Sequence, residues 1–249
     1  MTDLVEFTAH FDDLVPPRPV EHFGSSDLSF GGRIEPPLKI HEDGGERGCG
    51  GKVWLAGEML CNYLIEKSDS KGLLSLSQLS NGSCHFRNVL ELGSGTGLVG
   101  LCAGSLAKSN SLKVKVFATD IGNLVELLNV NTQLNNLDKY VFPEILMWGE
   151  ALAEKFEGDA TDKIDLILAA DCVYLEAAFT LLEKTLLDLT DGSHPPIVLM
   201  SYKKRRKADK NFFRQIRKSF QVIRVTDFAK SDEYVKHRTH LFQLIRISR

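Results

Sequence analysis

The sequence predicts an α/β fold, a mostly parallel sheet of seven strands with helices on both faces. Three observations predict this class. From residue 53 onward, short and almost unbroken apolar runs alternate with segments whose apolar residues recur at helical spacing. The composition, with 43% hydrophobic and 25% charged residues, is that of an ordinary globular protein. A chain of 249 residues is also long enough to bury a substantial core.

The chain begins with a segment that is poor in regular structure. Prolines and glycines interrupt it at Pro16, Pro17, Pro19, Pro36, Pro37 and through the glycine-rich residues 44–51. We expect an irregular N-terminal arm over residues 1–50 that packs over the domain, with a short hairpin over residues 28–40. The domain itself is predicted to span residues 51–249.

The remaining elements follow one another in a regular order. Apolar residues at helical spacing predict helices over residues 53–67, 98–107, 123–134, 177–189 and 209–220. Continuous apolar runs predict strands over residues 89–92, 114–119, 141–147, 164–170, 197–200, 222–225 and 240–247. In parallel sheets, ligands bind beyond the carboxyl ends of the strands. Residues that directly follow strands are therefore the candidates for function.

The composition excludes several classes of protein. No run reaches the about 18 apolar residues of a membrane-spanning helix, and the acidic N-terminus lacks the order of a secretory signal. The five cysteines form no Cys-x-x-Cys pair, which argues against a disulfide framework and structural zinc. The seven histidines have no metal-ligand spacing, and no Gly-x-Ser-x-Gly elbow is present. We therefore expect no metal and a reducing compartment, either cytosolic or nuclear.

Charge is unevenly distributed along the chain. Lys203–Lys218 contains nine basic residues and one acidic residue, so this segment carries +8. Because the whole chain carries −3, the rest of it carries −11. A compact basic segment on an acidic body is typical of a surface that docks on a charged macromolecule. A solvated helix face is the alternative, and charge alone does not separate the two.

The strongest motif is a glycine-rich turn, Gly93-Ser94-Gly95-Thr96-Gly97, between a buried strand and a helix. Glycines permit a tight turn and close approach of backbone to a ligand, and the helix start offers free N–H groups. A dinucleotide fingerprint would place its third glycine at Leu98. Glu91 at the strand end would repel a pyrophosphate. The motif favours a ligand with an adenosine part and a cationic end, S-adenosylmethionine, over a purely structural turn.

Three further residues follow strands or flank the first helix in positions suited to the same ligand. Asp120 ends the second strand, where a carboxylate can accept both ribose hydroxyls of an adenosine. Trp148 follows the third strand, and Trp54 precedes the first helix. A flat indole can cover an adenine ring or form a wall of a cofactor pocket. The alternatives are a turn-forming aspartate and two ordinary core tryptophans.

Candidate substrate contacts follow the fourth and fifth strands. Asp171 and Tyr174 lie in Ala170-Asp171-Cys172-Val173-Tyr174, where a carboxylate can pair with a lysine ammonium and a phenol can orient it. An N-cap for the next helix is the alternative for Asp171. The segment lacks the two prolines of Asp/Asn-Pro-Pro-Tyr, which serves planar nitrogens of bases or amides. Tyr202 follows the fifth strand and is expected to line the substrate channel.

These motifs together resemble the seven-strand S-adenosylmethionine-dependent methyltransferases, and more narrowly the family-16 protein lysine methyltransferases. The resemblance covers roughly residues 50–247. Arg18-Pro19-Val20-Glu21 and Leu28-Ser29-Phe30-Gly31-Gly32 of the arm are similar to fungal members that methylate translation elongation factor 1-alpha. The resemblance implies a Rossmann-like sheet with an antiparallel last strand. It also implies cofactor contacts from Trp54, Gly93, Ser94, Gly95, Asp120, Trp148 and Ala170, and catalytic or channel roles for Asp171, Tyr174 and Tyr202.

The function expected from this resemblance is transfer of a methyl group from S-adenosylmethionine to a lysine of a protein, with elongation factor 1-alpha as the expected substrate. We expect a cytoplasmic monomer that requires neither membrane nor nucleic acid, while Lys203–Lys207 resembles a nuclear-localisation cluster. The alternative is a non-catalytic module that keeps the fold and binds RNA or the translation machinery through Lys203–Lys218.

Overall fold

The computed structural model describes residues 28–43, 48–69, 86–157 and 163–247. All seven predicted strands are present and form one sheet. The strands are β1 (Asn88–Leu92), β2 (Lys115–Asp120), β3 (Val141–Ile145), β4 (Leu166–Ala170), β5 (Ile197–Lys203), β6 (Phe220–Val225) and β7 (Thr239–Arg246). The helices are α1 (Leu55–Asp69), α2 (Leu98–Ser109), α3 (Gly122–Leu134), α4 (Phe179–Leu189), α5 (Asp209–Ile216) and α6 (Ser231–Lys236).

The strand order is β3-β2-β1-β4-β5-β7-β6. Strands β1 to β5 pair in parallel, and β7 lies antiparallel between β5 and β6. This confirms the predicted class, including the antiparallel last strand. From β1 the chain first runs outward through β2 and β3, and then returns to build β4 and β5 on the other side. The β1–β4 boundary is thus the switch point where ligands bind in such sheets.

Two hydrophobic clusters cover the two faces of the sheet, which is why its inner strands are mostly apolar. In β1, Val89 packs into the cluster under α1 and α2, while its neighbour Leu90 packs into the cluster under α4 and α5. Both side chains are fully buried. Among the described residues, the structure contains no helix with the length and hydropathy of a membrane span. Helix α6 was not predicted, because its six residues are too few to establish a period.

The described part of the arm packs on the domain. Phe30, Ile34 and Leu38 are buried in the same cluster as α1. The predicted hairpin over residues 28–40 is wrong, because this segment forms turns and contains no strand. The motif 18–21 lies outside the described residues. The predicted boundary at residue 50 falls inside a short 3-10 helix, Gly48–Gly51.

Asn131 of α3 fixes the arm to the glycine-rich turn. Its side-chain oxygen accepts the N–H of His41 at 2.7 Å. Its amide nitrogen donates to the carbonyl oxygens of His41 at 3.0 Å and of Thr96 at 2.9 Å. The Asn131 side chain is fully buried, and it satisfies two backbone groups of the arm and one of the turn. The arm is thereby held over the carboxyl ends of β1 and β2.

Candidate active site

The turn after β1 has the backbone geometry that its glycines predict. Gly93, Gly95 and Gly97 have φ values of +59°, +56° and +82°, a region that other residues rarely adopt. The N–H of Ser94 donates to the carbonyl oxygen of Thr119 on β2 at 3.0 Å. Gly97 directly precedes α2. The turn therefore exposes backbone, rather than side chains, to the space above β1.

Two of these glycines are also required by close approach. A Cβ on Gly93 would lie 2.9 Å from the ring of Trp148, and one on Gly95 would lie 2.6 Å from the carbonyl oxygen of Gly50. The first contact places the indole against the turn. The second places the 3-10 helix of the arm against it. The turn is thus enclosed from two sides by chain segments that are distant in sequence.

Asp120 ends β2 and is fixed by backbone donors. One carboxylate oxygen accepts the N–H of Gly95 at 2.7 Å, and the other accepts the N–H of Ile121 at 2.7 Å. Burial raises the pKa of Asp120 to about 6, although these two hydrogen bonds oppose the shift. At neutral pH the group is therefore mostly ionised. Each oxygen keeps a lone pair that can accept a ligand hydroxyl.

Glu91 of β1 also lines the cavity but presents little charge. One carboxyl oxygen accepts the N–H of Gly100 at 2.9 Å. The side chain is buried, and this burial raises the pKa of Glu91 to about 8. At neutral pH the carboxyl therefore holds a proton. The negative charge that the sequence suggested beside a cationic ligand is largely absent in the folded state.

This burial predicts a pH dependence of stability. An exposed glutamate titrates near 4.5, whereas Glu91 titrates near 8 in the folded state. Its contribution to the free energy of unfolding is therefore complete below pH 4.5 and is lost as the pH rises to about 8. Asp120 acts in the same direction between 3.8 and about 6. Burial also lowers the pKa of His240 below its usual value of 6.5, so this side chain titrates toward the acidic end of the same interval. Only a comparison with a variant that cannot ionise at position 91 therefore isolates Glu91 between pH 6 and pH 8.

In Glu91→Gln the N–H of Gly100 keeps an acceptor, but the side chain cannot ionise. We expect the free energy of unfolding of the wild type to fall by roughly 2 kcal/mol more than that of the variant between pH 6 and pH 8. Urea unfolding at pH 6 and at pH 8 measures this change in the free energy of unfolding for both proteins. An equal change in the free energy of unfolding of the two proteins would show that Glu91 is ionised throughout this interval.

A cavity of about 240 Å³ opens at the carboxyl ends of β1, β2 and β4. It brings together nine of the ten predicted site residues: Trp54, Gly93, Ser94, Gly95, Asp120, Trp148, Ala170, Asp171 and Tyr174. Both tryptophans are half-buried in its wall, so neither is an ordinary core residue. Among the described residues, no group of three or more metal-ligating side chains is arranged to hold a metal ion.

Asp171 is held in an unusual backbone conformation at the end of β4, with φ at +59°. Its carboxylate accepts two bonds from the guanidinium of Arg205, at 2.7 Å and 2.5 Å, and one from the N–H of Lys203 at 3.2 Å. The side chain is 5% exposed. It does not cap α4, which begins eight residues later at Phe179. The N-cap alternative is therefore wrong.

Arg205 is a site residue that the sequence analysis missed. Its guanidinium lines the cavity, pairs with Asp171 and stacks over the ring of Trp54 at 5.2 Å. The indole N–H of Trp54 in turn donates to the carbonyl oxygen of Cys49 at 2.8 Å. Cys49 and Gly50 of the arm were missed as lining residues as well. The position of Arg205 two residues after β5 could have indicated a site residue, but Arg205 lies within the basic segment Lys203–Lys218, where charge alone does not distinguish it from its neighbours.

Tyr202 lies away from the cavity. It is buried, and its ring packs edge-on against Phe213 of α5 at 4.9 Å. Its hydroxyl donates to Asp209 at 2.7 Å. The same carboxylate oxygen accepts the N–H groups of Arg205 and Arg206 at 3.1 Å and 3.0 Å. This geometry replaces the predicted channel role of Tyr202 with a supporting role, since it fixes the loop that carries Arg205.

The residues of the cavity fit S-adenosylmethionine. The glycine turn exposes backbone where a side chain would fill the space, and Asp120 retains hydrogen-bond acceptors for ribose hydroxyls. The indole of Trp148 borders the turn. Neither the turn nor the start of α2 carries the lysine that grips phosphates in a P-loop. The acceptor pattern suits an adenosine, and the turn lacks the lysine that a nucleoside phosphate would require.

Residues 33–219 match the family model described as lysine methyltransferase. The chain belongs to this lysine methyltransferase family. It is 57% identical to the protein-lysine N-methyltransferase EFM6 of Saccharomyces cerevisiae, over 95% of this chain and 97% of that protein. It is 33% identical to the protein N-lysine methyltransferase METTL21A of Danio rerio, over 80% of this chain and 81% of that protein. A solved structure with a related backbone is the S-adenosylmethionine-dependent methyltransferase SibL, with a TM-score of 0.46, 14% identity, and 92% and 72% of the two chains covered.

This lysine methyltransferase is therefore an enzyme that transfers a methyl group from S-adenosylmethionine to a lysine of a protein. The predicted family, fold, reaction and cofactor are confirmed. The alternative of a non-catalytic module finds no support. The roles of the individual site residues stay predictions, which the geometry of the cavity makes testable.

Proposed function

We propose that this enzyme methylates a lysine of translation elongation factor 1-alpha. The catalytic part of this proposal is supported by the observation that the glycine turn, Asp120, Asp171 and Tyr174 line one cavity. The choice of target is supported by the similarity of the arm to fungal members with that substrate. It is further supported by the basic segment Lys203–Lys218, which suits a charged macromolecular partner.

The cofactor side of the cavity is proposed to act through Asp120, the glycine turn and the indoles. S-adenosylmethionine supplies a methyl group that is activated on a sulfonium. The carboxylate of Asp120 accepts the ribose hydroxyls, and the backbone of Gly93–Gly95 lies along the ligand. Trp148 and Trp54 exclude water from the two flanks. Fixing the reacting groups in one line is mainly an entropic contribution to the rate.

The substrate side is proposed to act through Asp171 and Tyr174. The attacking lysine must be neutral, although a free lysine has a pKa of about 10.4. Burial raises the pKa of Tyr174 well above its usual value, so its hydroxyl stays protonated and can orient the amine. Asp171 positions the amine and does not act as a strong base. The proton lost by the lysine passes to water.

Incubation with tritiated S-adenosylmethionine tests the target. Purified elongation factor 1-alpha and, separately, a lysate from cells without this enzyme are the acceptors. We expect label on one elongation factor 1-alpha band in both, and mass spectrometry should place it on a lysine. Label on a different protein in the lysate, with none on the purified factor, would replace the proposed target while leaving the lysine methyltransferase reaction intact.

We also propose a cytoplasmic, monomeric enzyme. Two observations argue against a nuclear-localisation signal at Lys203–Lys207. Arg205 pairs with Asp171 inside the cavity, and Lys203 belongs to β5. A receptor that reads an extended basic peptide would have to pull both residues out of the fold. Cell fractionation and the sedimentation coefficient of the purified chain test the two properties.

A further inference from the structure

Arg205 and Asp171 form a closely matched ion pair inside the active-site cavity. The guanidinium donates to both carboxylate oxygens, and the side chains are only 18% and 5% exposed. Burial alone would disfavour the charge of Arg205, but the contact with Asp171 outweighs it and raises the pKa of the guanidinium. The cation is therefore permanent. Bidentate pairs of this kind fix both position and charge.

An unpaired Asp171 would present a chemical difficulty. A carboxylate within about 4–6 Å of an amine favours its protonated form by roughly one to three pKa units. The ammonium form of lysine has no lone pair and cannot attack a methyl group. A bare carboxylate in the channel would therefore capture the substrate in the unreactive state. The guanidinium removes this problem, because the pair as a whole carries no net charge.

Among the described residues, Arg205 is the one cationic side chain that contacts the Asp171 carboxylate. Its remaining partner is the backbone N–H of Lys203. Asp209 of α5 faces Arg205 from the other side but is occupied by the hydroxyl of Tyr202 and two backbone N–H groups. The other ionisable groups near the pair or in the cavity wall are Cys49, Cys172, Tyr174, Lys52, Asp120 and Glu91.

We infer that Arg205 is a positioning residue that cancels the charge of Asp171, so that the acceptor lysine is held in the channel as a neutral amine. Trp54 keeps the guanidinium in place by stacking on it, and Asp209 fixes the loop that carries it. The inference rests on the substrate-side role proposed above for Asp171. It adds a requirement that this role alone does not contain: the two charges must be present together or absent together.

The test is a set of four enzymes: wild type, Arg205→Gln, Asp171→Asn and the double variant. For each, kcat is measured from pH 6 to pH 10 at saturating cofactor. The acceptor is whichever protein the wild type labels in the lysate experiment, so the result does not depend on the identity of the target. Calorimetry with S-adenosylhomocysteine checks that each variant is folded and binds the cofactor product.

We expect Arg205→Gln to move the acidic limb of the kcat profile upward by about one pH unit, which lowers the rate at pH 7 about tenfold and restores it near pH 9. Asp171→Asn should move the limb in the opposite direction, because an unopposed cation favours the neutral amine. The double variant should return the limb to the wild-type position. Arg205→Lys, which keeps the charge, should lie near wild type.

Two outcomes would overturn the inference. A double variant whose limb stays where Arg205→Gln leaves it would show that the shift does not arise from the charge of Asp171. A higher kcat/KM for Arg205→Gln at neutral pH would show that Arg205 blocks the lysine position and is displaced by substrate. If Arg205→Gln fails to fold, the opposite shift in Asp171→Asn still decides, since an unmoved limb there contradicts charge cancellation.

Discussion

Replacing Asp120 by alanine should lower the affinity for S-adenosylhomocysteine by about two orders of magnitude. The carboxylate accepts the N–H groups of Gly95 and Ile121 and retains lone pairs for ribose hydroxyls. Its removal abolishes the acceptors and also leaves two N–H groups unsatisfied. Hydrogen bonds to a charged group contribute about 1.5–3 kcal/mol, which corresponds to this loss. Isothermal calorimetry measures it directly.

Asp165 offers a matched control at the opposite end of the sheet. Its carboxylate also bridges backbone donors, namely the N–H groups of Arg87 and Asn88 at 2.7 Å and 3.0 Å. It lies at the amino end of β4, whereas the cavity opens at the carboxyl end. Asp165→Ala should therefore lower stability while leaving the affinity unchanged. Equal affinities in the two variants would remove Asp120 from the cofactor site.

Local sequence contained most of the cofactor side of the site. The glycine turn and Asp120 are predictable because the turn directly follows one mostly apolar strand and Asp120 ends another, and parallel topology brings such ends together. Asp171 was found by the same rule. These features depend on residues that are close together along the chain, so one amino-acid sequence is sufficient to recognise them.

For Tyr202 the same rule fails, because the side chain lies on the wrong face of its strand. Side chains alternate between the faces of a strand, and Val198, Met200 and Tyr202 of β5 all enter the cluster beneath α4 and α5. Ser201 points the other way and donates to the carbonyl oxygen of Ala56 on α1 at 2.7 Å. Counting the period from Val198 would have placed Tyr202 in the core.

Arg205, Cys49 and Gly50 could not be assigned from local pattern. The Arg205–Asp171 contact joins residues 34 positions apart, and its neighbours in the basic run are Lys204, which is exposed, and Arg206, which is half-buried. Net charge averages over these different environments. The arm residues reach the cavity through tertiary contacts, such as those of Asn131 with His41 and Thr96 and that of Trp54 with Cys49. Both depend on tertiary packing that a charge count does not contain.

Gly95→Ala, which adds one methyl group to the glycine-rich turn, should strongly destabilise the protein. Its φ of +56° lies in the left-handed region, which costs about 1–2 kcal/mol for alanine. The new Cβ would also stand 2.6 Å from the carbonyl oxygen of Gly50, a backbone atom that cannot rotate away. Either the turn or the arm must move. We expect a loss of roughly 2–4 kcal/mol in the free energy of unfolding.

Gly31→Ala separates the cost of the left-handed backbone conformation from the cost of the steric contact with Gly50. Gly31 has a comparable φ of +74°, but a Cβ there would meet nothing within 4 Å. It should therefore cost only the backbone penalty of about 1–2 kcal/mol and should bind S-adenosylhomocysteine like wild type. Gly95→Ala should additionally lose at least about tenfold in affinity, because the N–H of Gly95 that Asp120 accepts is displaced. Urea unfolding and calorimetry on both variants supply the comparison. Equal stabilities would mean that the arm yields without cost, and the enclosure of the turn by Gly50 would then contribute nothing to the site.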